Sequence, residues 1–151
     1  MKRIANIGSL LKKIYRLYSV ELIKELQARG FNDLRASFLE ILQFLAENDG
    51  PSIKTIGKSC GLKKQTMTSH LNELEKRGYI RRVNSETDKR EQLVFLTDYG
   101  EKFKFNLLQV TQDLEKHYTQ KVGEVELDRV ELMLDNLYNE LAEGQNKGTL
   151  I

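Results

Sequence analysis

Apolar residues along the first part of the chain recur every three to five positions: Ile4, Ile7, Leu11, Ile14, Leu17 beside Tyr18, Leu22 and Leu26. Such steps return to one side of a 3.6-residue turn, so they predict a long amphipathic helix over 4–29, stopped by Gly30. Leu34, Phe38, Ile41, Leu42 and Leu45 form the buried stripe of a second predicted helix, with Asn32 or Asp33 as its cap. Asn48-Asp49-Gly50-Pro51 is a break. Ser52 then caps a short helix running to about Ser59, with Ile53 and Ile56 facing inward, and Gly61 marks a tight turn. A third helix of this group is predicted from about Lys63 to Arg77. Its Met67, Leu71 and Leu74 share one face, and Gly78 ends it.

Beyond Gly78 the period changes. Tyr79-Ile80 and Leu93-Val94-Phe95-Leu96 are short apolar runs of strand type, separated by a polar stretch from Arg81 to Gln92. They predict a hairpin whose tip is Ser85-Glu86-Thr87-Asp88-Lys89-Arg90. Helical spacing returns after Thr97 with Phe103, Leu107, Val110 and Leu114. A last helix carries Leu127, Val130, Leu134, Leu137 and Leu141 in a heptad-like seam. Leu132 and Met133 put more apolar surface beside that seam than a helix facing only its own small domain needs. Residues 144–151 are expected to fray.

Composition narrows the class. The chain has 151 residues, enough for one domain or one domain with a helical arm, and needs no disulfide or metal to fold. Charged residues at 30% and apolar residues at 40% exclude wholesale disorder. No apolar run approaches the roughly 20 residues of a membrane span. The amphipathic start lacks the apolar core and cleavage site of a signal peptide, so the expected address is the cytoplasm and no membrane partner is expected. The lone Cys60 and two histidines are a poor basis for a metal site, and no cofactor is implied. Nothing resembles a nucleophile triad, a phosphate loop or a catalytic carboxylate pair, so an enzyme is not expected.

The net charge of +2 hides a pattern. Residues 1–30 carry net +5 and residues 51–82 net +6, whereas residues 121–151 carry net −4. A basic middle suggests contact with a polyanion. Two helices joined by a glycine turn, followed by a basic hairpin, are the elements of a winged helix-turn-helix. Opposite the Met67, Leu71 and Leu74 stripe lie Gln65, Ser69, Asn72 and Lys76, with Thr68 on the flank. These are short donors and acceptors suited to base edges in a major groove. Lys63 and Lys64 at the helix start oppose the helix dipole, and a nearby polyanion gives them a reason to be there. An ordinary solvated helix face is the plain alternative.

The chain resembles the MarR family of bacterial winged-helix regulators. The resemblance is carried by Leu71, Leu74, Gly78, Ile80 and Arg82, then Asp88-Lys89-Arg90, then Leu96-Thr97 and Gly100, in order and at the family's offsets. It implies a mainly α fold with a small β-hairpin wing. Residues 31–100 would form the winged helix-turn-helix DNA-binding domain, and residues 1–30 with 101–151 a helical dimerisation region. Arg90 matches the wing arginine that enters the minor groove. Asp88 matches the wing acid, which repulsion from phosphate leaves in want of a structural partner; Arg82 or Arg81 is the expected one. The family works as homodimers with interlocked first and last helices, so Ile7, Leu11, Ile14, Leu127, Val130, Leu134, Leu137 and Leu141 are the expected interface.

Many members bind a small anionic aromatic ligand between the dimer region and the DNA lobes. Tyr15, Tyr18, Phe38 and Phe103 are the candidate lining residues here, with Phe44, Tyr99 and His117 beside them, although ordinary core or interface packing is the plainer reading of each. Some relatives sense oxidants through a first-helix cysteine. This chain has none there, and Cys60 reads as a small packed residue beside Gly61. The expected function is a sequence-specific transcriptional regulator, a ligand-responsive repressor binding a pseudo-palindromic operator in double-stranded DNA as a homodimer. The alternative is a winged-helix protein-interaction module without sequence-specific DNA binding, its basic face docking an acidic partner.

Overall fold

The computed structural model describes residues 2–146, with side chains through residue 143. Six helices and one hairpin follow in order: α1 (Arg3–Ala28), α2 (Ala36–Glu47), α3 (Ile53–Cys60), α4 (Lys64–Lys76), β1 (Ile80–Asn84), β2 (Gln92–Leu96), α5 (Asp98–Val122) and α6 (Glu124–Asn146). The chain divides into two compact units, one ending at Thr111 and the other beginning at Gln112.

In the first unit the predicted stripes meet in one core. Leu26, Phe38, Ile41, Leu42, Ile56, Met67, Leu71, Leu74, Ile80, Val94 and Phe103 are almost wholly buried. The first helix forms as its period predicts, yet only Ser19, Leu22 and Leu26 are buried, all in its C-terminal part. There the Tyr15 hydroxyl donates to Glu40 Oε1 at 2.8 Å, and the Gln43 amide donates to the Tyr18 hydroxyl at 2.9 Å. Ile4, Ile14 and Leu17, on the other side of the helix from those contacts or before them, are exposed.

Three local expectations need correction. Neither Asn32 nor Asp33 caps α2, which starts only at Ala36 behind Arg35. Asp33 is committed elsewhere: its carboxylate accepts from the Tyr79 hydroxyl at 2.8 Å, and its backbone oxygen accepts from Arg77 Nη1. The strands are also longer than the apolar runs. β1 continues through Arg81, Arg82, Val83 and Asn84, in antiparallel register with β2 from Ile80 opposite Leu96 to Asn84 opposite Gln92. A solvated strand face needs no apolar residues, so hydropathy alone underestimates it. Finally, α6 stays helical to Asn146, past the point where fraying was expected; residues 147–151 lie outside the described residues.

A tie at the end of the hairpin explains the Leu96-Thr97 and Gly100 pattern. The Thr97 N–H donates to the Tyr79 carbonyl at 3.0 Å, and its hydroxyl donates to the Gly78 carbonyl. The same hydroxyl oxygen accepts from the Gly100 N–H at 3.0 Å and so caps α5. A Cβ at residue 100 would run into the Tyr79 carbonyl oxygen, so only glycine allows this approach.

The second unit, from Gln112 onward, contains the end of α5 and all of α6. Val130, Leu132, Met133, Leu134, Tyr138 and Leu141 of α6 are exposed. No helix among the described residues is long and apolar enough to cross a membrane.

Candidate nucleic-acid interface

Local sequence builds the helix pair. Ser52 Oγ accepts the Thr55 N–H at 3.1 Å and starts α3. Gly61 ends it in the left-handed region at φ +66°, a conformation glycine adopts without a Cβ penalty. The chain then turns back so that Met67, Leu71 and Leu74 of α4 pack inward. On the other side Gln65, Thr68, Ser69, Asn72 and Lys76 are all exposed, as the helical period requires. The Thr68 hydroxyl donates to the Lys64 carbonyl at 2.9 Å, leaving its oxygen lone pairs outward. Lys63 occupies the N-cap position without a side-chain cap, and the first turn of α4 holds no acid. The first amides of α4 and its positive dipole end are therefore available to an anion, beside two ammonium groups.

The wing is organised separately at its tip and at its root. At the tip, Ser85 Oγ accepts the N–H groups of Thr87 and Asp88, both at 3.3 Å, and the Ser85 N–H donates to the Glu91 carbonyl at 3.0 Å. Asp88 Oδ1 accepts the Arg90 N–H at 3.0 Å and the Arg90 Nε–H at 3.4 Å. The wing acid is thus partnered by Arg90, which corrects the expectation of Arg82 or Arg81. At the root, Arg82 Nη2 donates to Asn72 Oδ1 at 2.8 Å and to Glu75 Oε1 at 2.7 Å. Strand alternation explains the difference. Arg82 shares the face of buried Ile80 and stands opposite buried Val94, which turns it toward α4. Arg81 is on the other face, with its guanidinium 4.8 Å from the centre of the Phe95 ring. Side-chain exposure is 20% for Arg82 and 92% for Arg90. The Arg82 guanidinium also holds the Glu75 carboxyl below the usual carboxylate range, so this pair stays ionised at neutral pH.

Between α3, α4 and the wing runs a cleft of about 760 Å³ bordered by Lys54, Lys58, Lys63, Lys64, Arg82 and Arg90. Residues 39–91, which contain that whole cleft apart from Gln92, match the family model described as the MarR family. The HTH-type transcriptional regulator TtmR of Methylorubrum extorquens is 34% identical over 97 residues, 64% of this chain and 47% of that protein. The chain spans about half the length of the curated relatives it matches. A MarR transcriptional regulator from Methanosarcina mazei superposes with a TM-score of 0.80 at 19% identity, covering 92% of this chain and 98% of the other. Streptococcus pneumoniae FabT, solved in complex with DNA, superposes with a TM-score of 0.74 at 25% identity, covering 93% and 98%.

Residues 39–91 thus resemble the MarR family, and the fold is similar to that of solved MarR-family regulators.

The expected ligand-lining residues are taken up by other contacts. Phe38 and Phe103 are buried in the core, Phe38 edge-on to His70 and Phe103 edge-on to Phe31 and Tyr79. Tyr15 and Tyr18 are tied to Glu40 and Gln43. A different hollow of about 460 Å³ is bordered by Glu40, Gln43, Glu47, Cys60 and Leu107 among others, and no basic side chain lines it. That lining does not suit a small anion. Burial, with Glu40 nearby, raises the Cys60 thiol pKa, which opposes formation of a reactive thiolate. Sequence reasoning also missed two organisers. Ser85 was legible as the start of a hydroxyl-based turn before Asp88. Glu75 carried no local signal, because its partner lies across the fold.

Proposed function

We propose that this chain is a DNA-binding transcriptional regulator. In this reading α4 enters the major groove with Gln65, Thr68, Ser69, Asn72 and Lys76, Lys63 and Lys64 meet phosphates, and Arg90 reaches the minor groove. The observation that carries it is the cleft bordered by six cations, set beside an exposed polar helix face and an α4 N-terminus with no acid of its own. The TtmR relative is itself named a transcriptional regulator, and the FabT structure holds DNA, which supports the same reading.

Two copies act together. Apolar side chains are left in solvent on α1 and on α6, and Ile7, Leu11, Ile14, Leu127, Val130, Leu134, Leu137 and Leu141 supply the interface. A symmetric pair presents two α4 helices to a pseudo-palindromic operator. Its activity is repression, and a small ligand relieves it. An anionic ligand finds its countercharge beside Lys63 and Lys64, not in the hollow next to Cys60, whose charged lining is acidic.

Selection of bound sites from a random duplex pool, followed by titration of the winning site, tests this reading. A two-fold consensus is expected, with affinity falling steeply as salt rises. Arg90→Ala should weaken operator binding by about 1–3 kcal/mol and leave thermal unfolding unchanged, since the side chain is solvated. Retention of an acidic protein partner with no preferred DNA sequence would instead identify an interaction module.

A further inference from the structure

We propose that Arg82 is a positioning residue that fixes which end of the Asn72 amide meets the base edges, making Asn72 a donor-only reader that selects guanine over adenine. This deepens the DNA-binding reading above and rests on it. A guanidinium has no acceptor, so the atom of Asn72 lying 2.8 Å from Arg82 Nη2 must be the carbonyl oxygen. The second N–H of the same nitrogen is spent on Glu75 Oε1 at 2.7 Å, one helical turn further along α4. Both hydrogens of Nη2 are therefore used. The guanidinium is anchored to an ionised carboxylate and only one-fifth exposed, so it has little freedom to let go. Asn72 itself is exposed, and its Nδ2 group has no protein partner among the described residues.

The consequence follows from groove chemistry. A free asparagine reads adenine bidentately, accepting from N6 and donating to N7. With Oδ1 engaged, the acceptor half of that pair is lost and the adenine N6–H2 group faces another donor. Guanine offers two acceptors, N7 and O6, to the two N–H bonds of Nδ2. The root of the wing thus sets specificity without touching DNA.

The test is selection from a random duplex pool with the full chain and three variants, alongside melting curves. For the parent protein, one position in each half-site should favour guanine over adenine by roughly tenfold, within the range of a good base contact. Arg82→Lys keeps a donor-only partner and should retain that preference. Arg82→Gln offers both a donor and an acceptor, lets the amide turn, and should narrow the preference to roughly threefold or less with adenine gaining. Asn72→Asp keeps the bond to Arg82 but presents no donor; guanine should be lost there and cytosine, with its N4–H2 donor, should replace it. If Arg82→Gln melts early, the Lys and Asp variants still decide the matter. Adenine preferred by the parent at the position that Asn72→Asp alters would overturn the inference, as would a consensus that none of the variants changes. Absence of any consensus would overturn the DNA-binding reading as well, so the two failures are distinguishable.

Discussion

Between Phe38 and Phe103, Val83 and Tyr99 are the large apolar side chains that stand exposed; on α6 alone, Val125, Val130, Leu132, Met133, Leu134, Tyr138 and Leu141 do. Both regions are helical and both show clean periodicity, so the difference lies in what their apolar stripes face. In the winged region four helices and a hairpin turn their stripes on one another, and burial of each large side chain contributes about 1.5–3 kcal/mol. On α6 an equally strong stripe meets solvent within the single chain. The first region buries its stripes within the chain, while the stripe of the second is left uncovered in the single chain.

Close packing in the winged region gives the largest expected effect. Gly100→Ala would drive a Cβ into the Tyr79 carbonyl oxygen, a backbone atom that cannot step aside, and press on Leu96. Loss of about 3 kcal/mol or more in unfolding free energy is expected, at or above the upper end for overpacking. The same change at Gly8, on the exposed part of α1 with nothing within 4 Å of the added carbon, should stabilise the helix by up to about 1 kcal/mol. Urea melts of the two variants separate the regions directly. Similar shifts in both would mean that the winged region is no more tightly packed than the exposed turn of α1.

The second prediction attacks the α6 stripe. Val130 and Leu134 are four residues apart, 45% and 39% exposed, and belong to the seam proposed to pair two copies. Val130→Glu combined with Leu134→Glu should leave far-UV helicity intact, since neither side chain supports the single-chain core. Sedimentation should show dimers giving way to monomers, with the dissociation constant rising by roughly a hundredfold or more, as expected for charges forced into a desolvated seam. A variant that keeps the mass of two copies would move the interface away from this face.

The same contrast explains what was legible in the sequence. Helix existence was readable because each helix repeats one stripe at 3.6 residues, whether the stripe finds a partner or not. The placement of Gln65, Ser69, Asn72 and Lys76 on one exposed face needed only that period. Pairings across the fold were not readable. Arg82 looked like a partner for Asp88 because both belong to the wing, yet strand alternation sends Arg82 to Glu75 and leaves Asp88 to Arg90. Asp33 looked like a helix cap because it precedes an apolar stripe; a tyrosine 46 residues away claims it instead. Phe38 and Phe103 looked available to a ligand because aromatic residues serve cores and pockets alike, and only packing separates the two roles.

That distant tyrosine supports the smallest prediction. Tyr79 is fully buried, its ring between Tyr99 and Phe103 and its hydroxyl donating to Asp33. Tyr79→Phe removes one hydrogen bond and no packing. Asp33 keeps Arg77, whose Nη1 lies 3.8 Å from its Oδ2, so no buried charge is stranded. The loss near neutral pH should therefore be about 1 kcal/mol, the net worth of an ordinary hydrogen bond. Alkali sharpens the test. Burial, then the bond to Asp33, raises the folded-state phenol pKa well above its ordinary value of 10.0. Above pH 10 the unfolded phenol releases its proton while the folded one holds it, so the parent loses stability at about 1.4 kcal/mol per pH unit from this group. The phenylalanine variant has no such group, and every other titration cancels in the difference. The two unfolding free energies should therefore converge and cross within about one unit above pH 10. A gap that stays constant through pH 11 would mean that Tyr79 is solvated and that the turn after α4 is looser than the winged core requires.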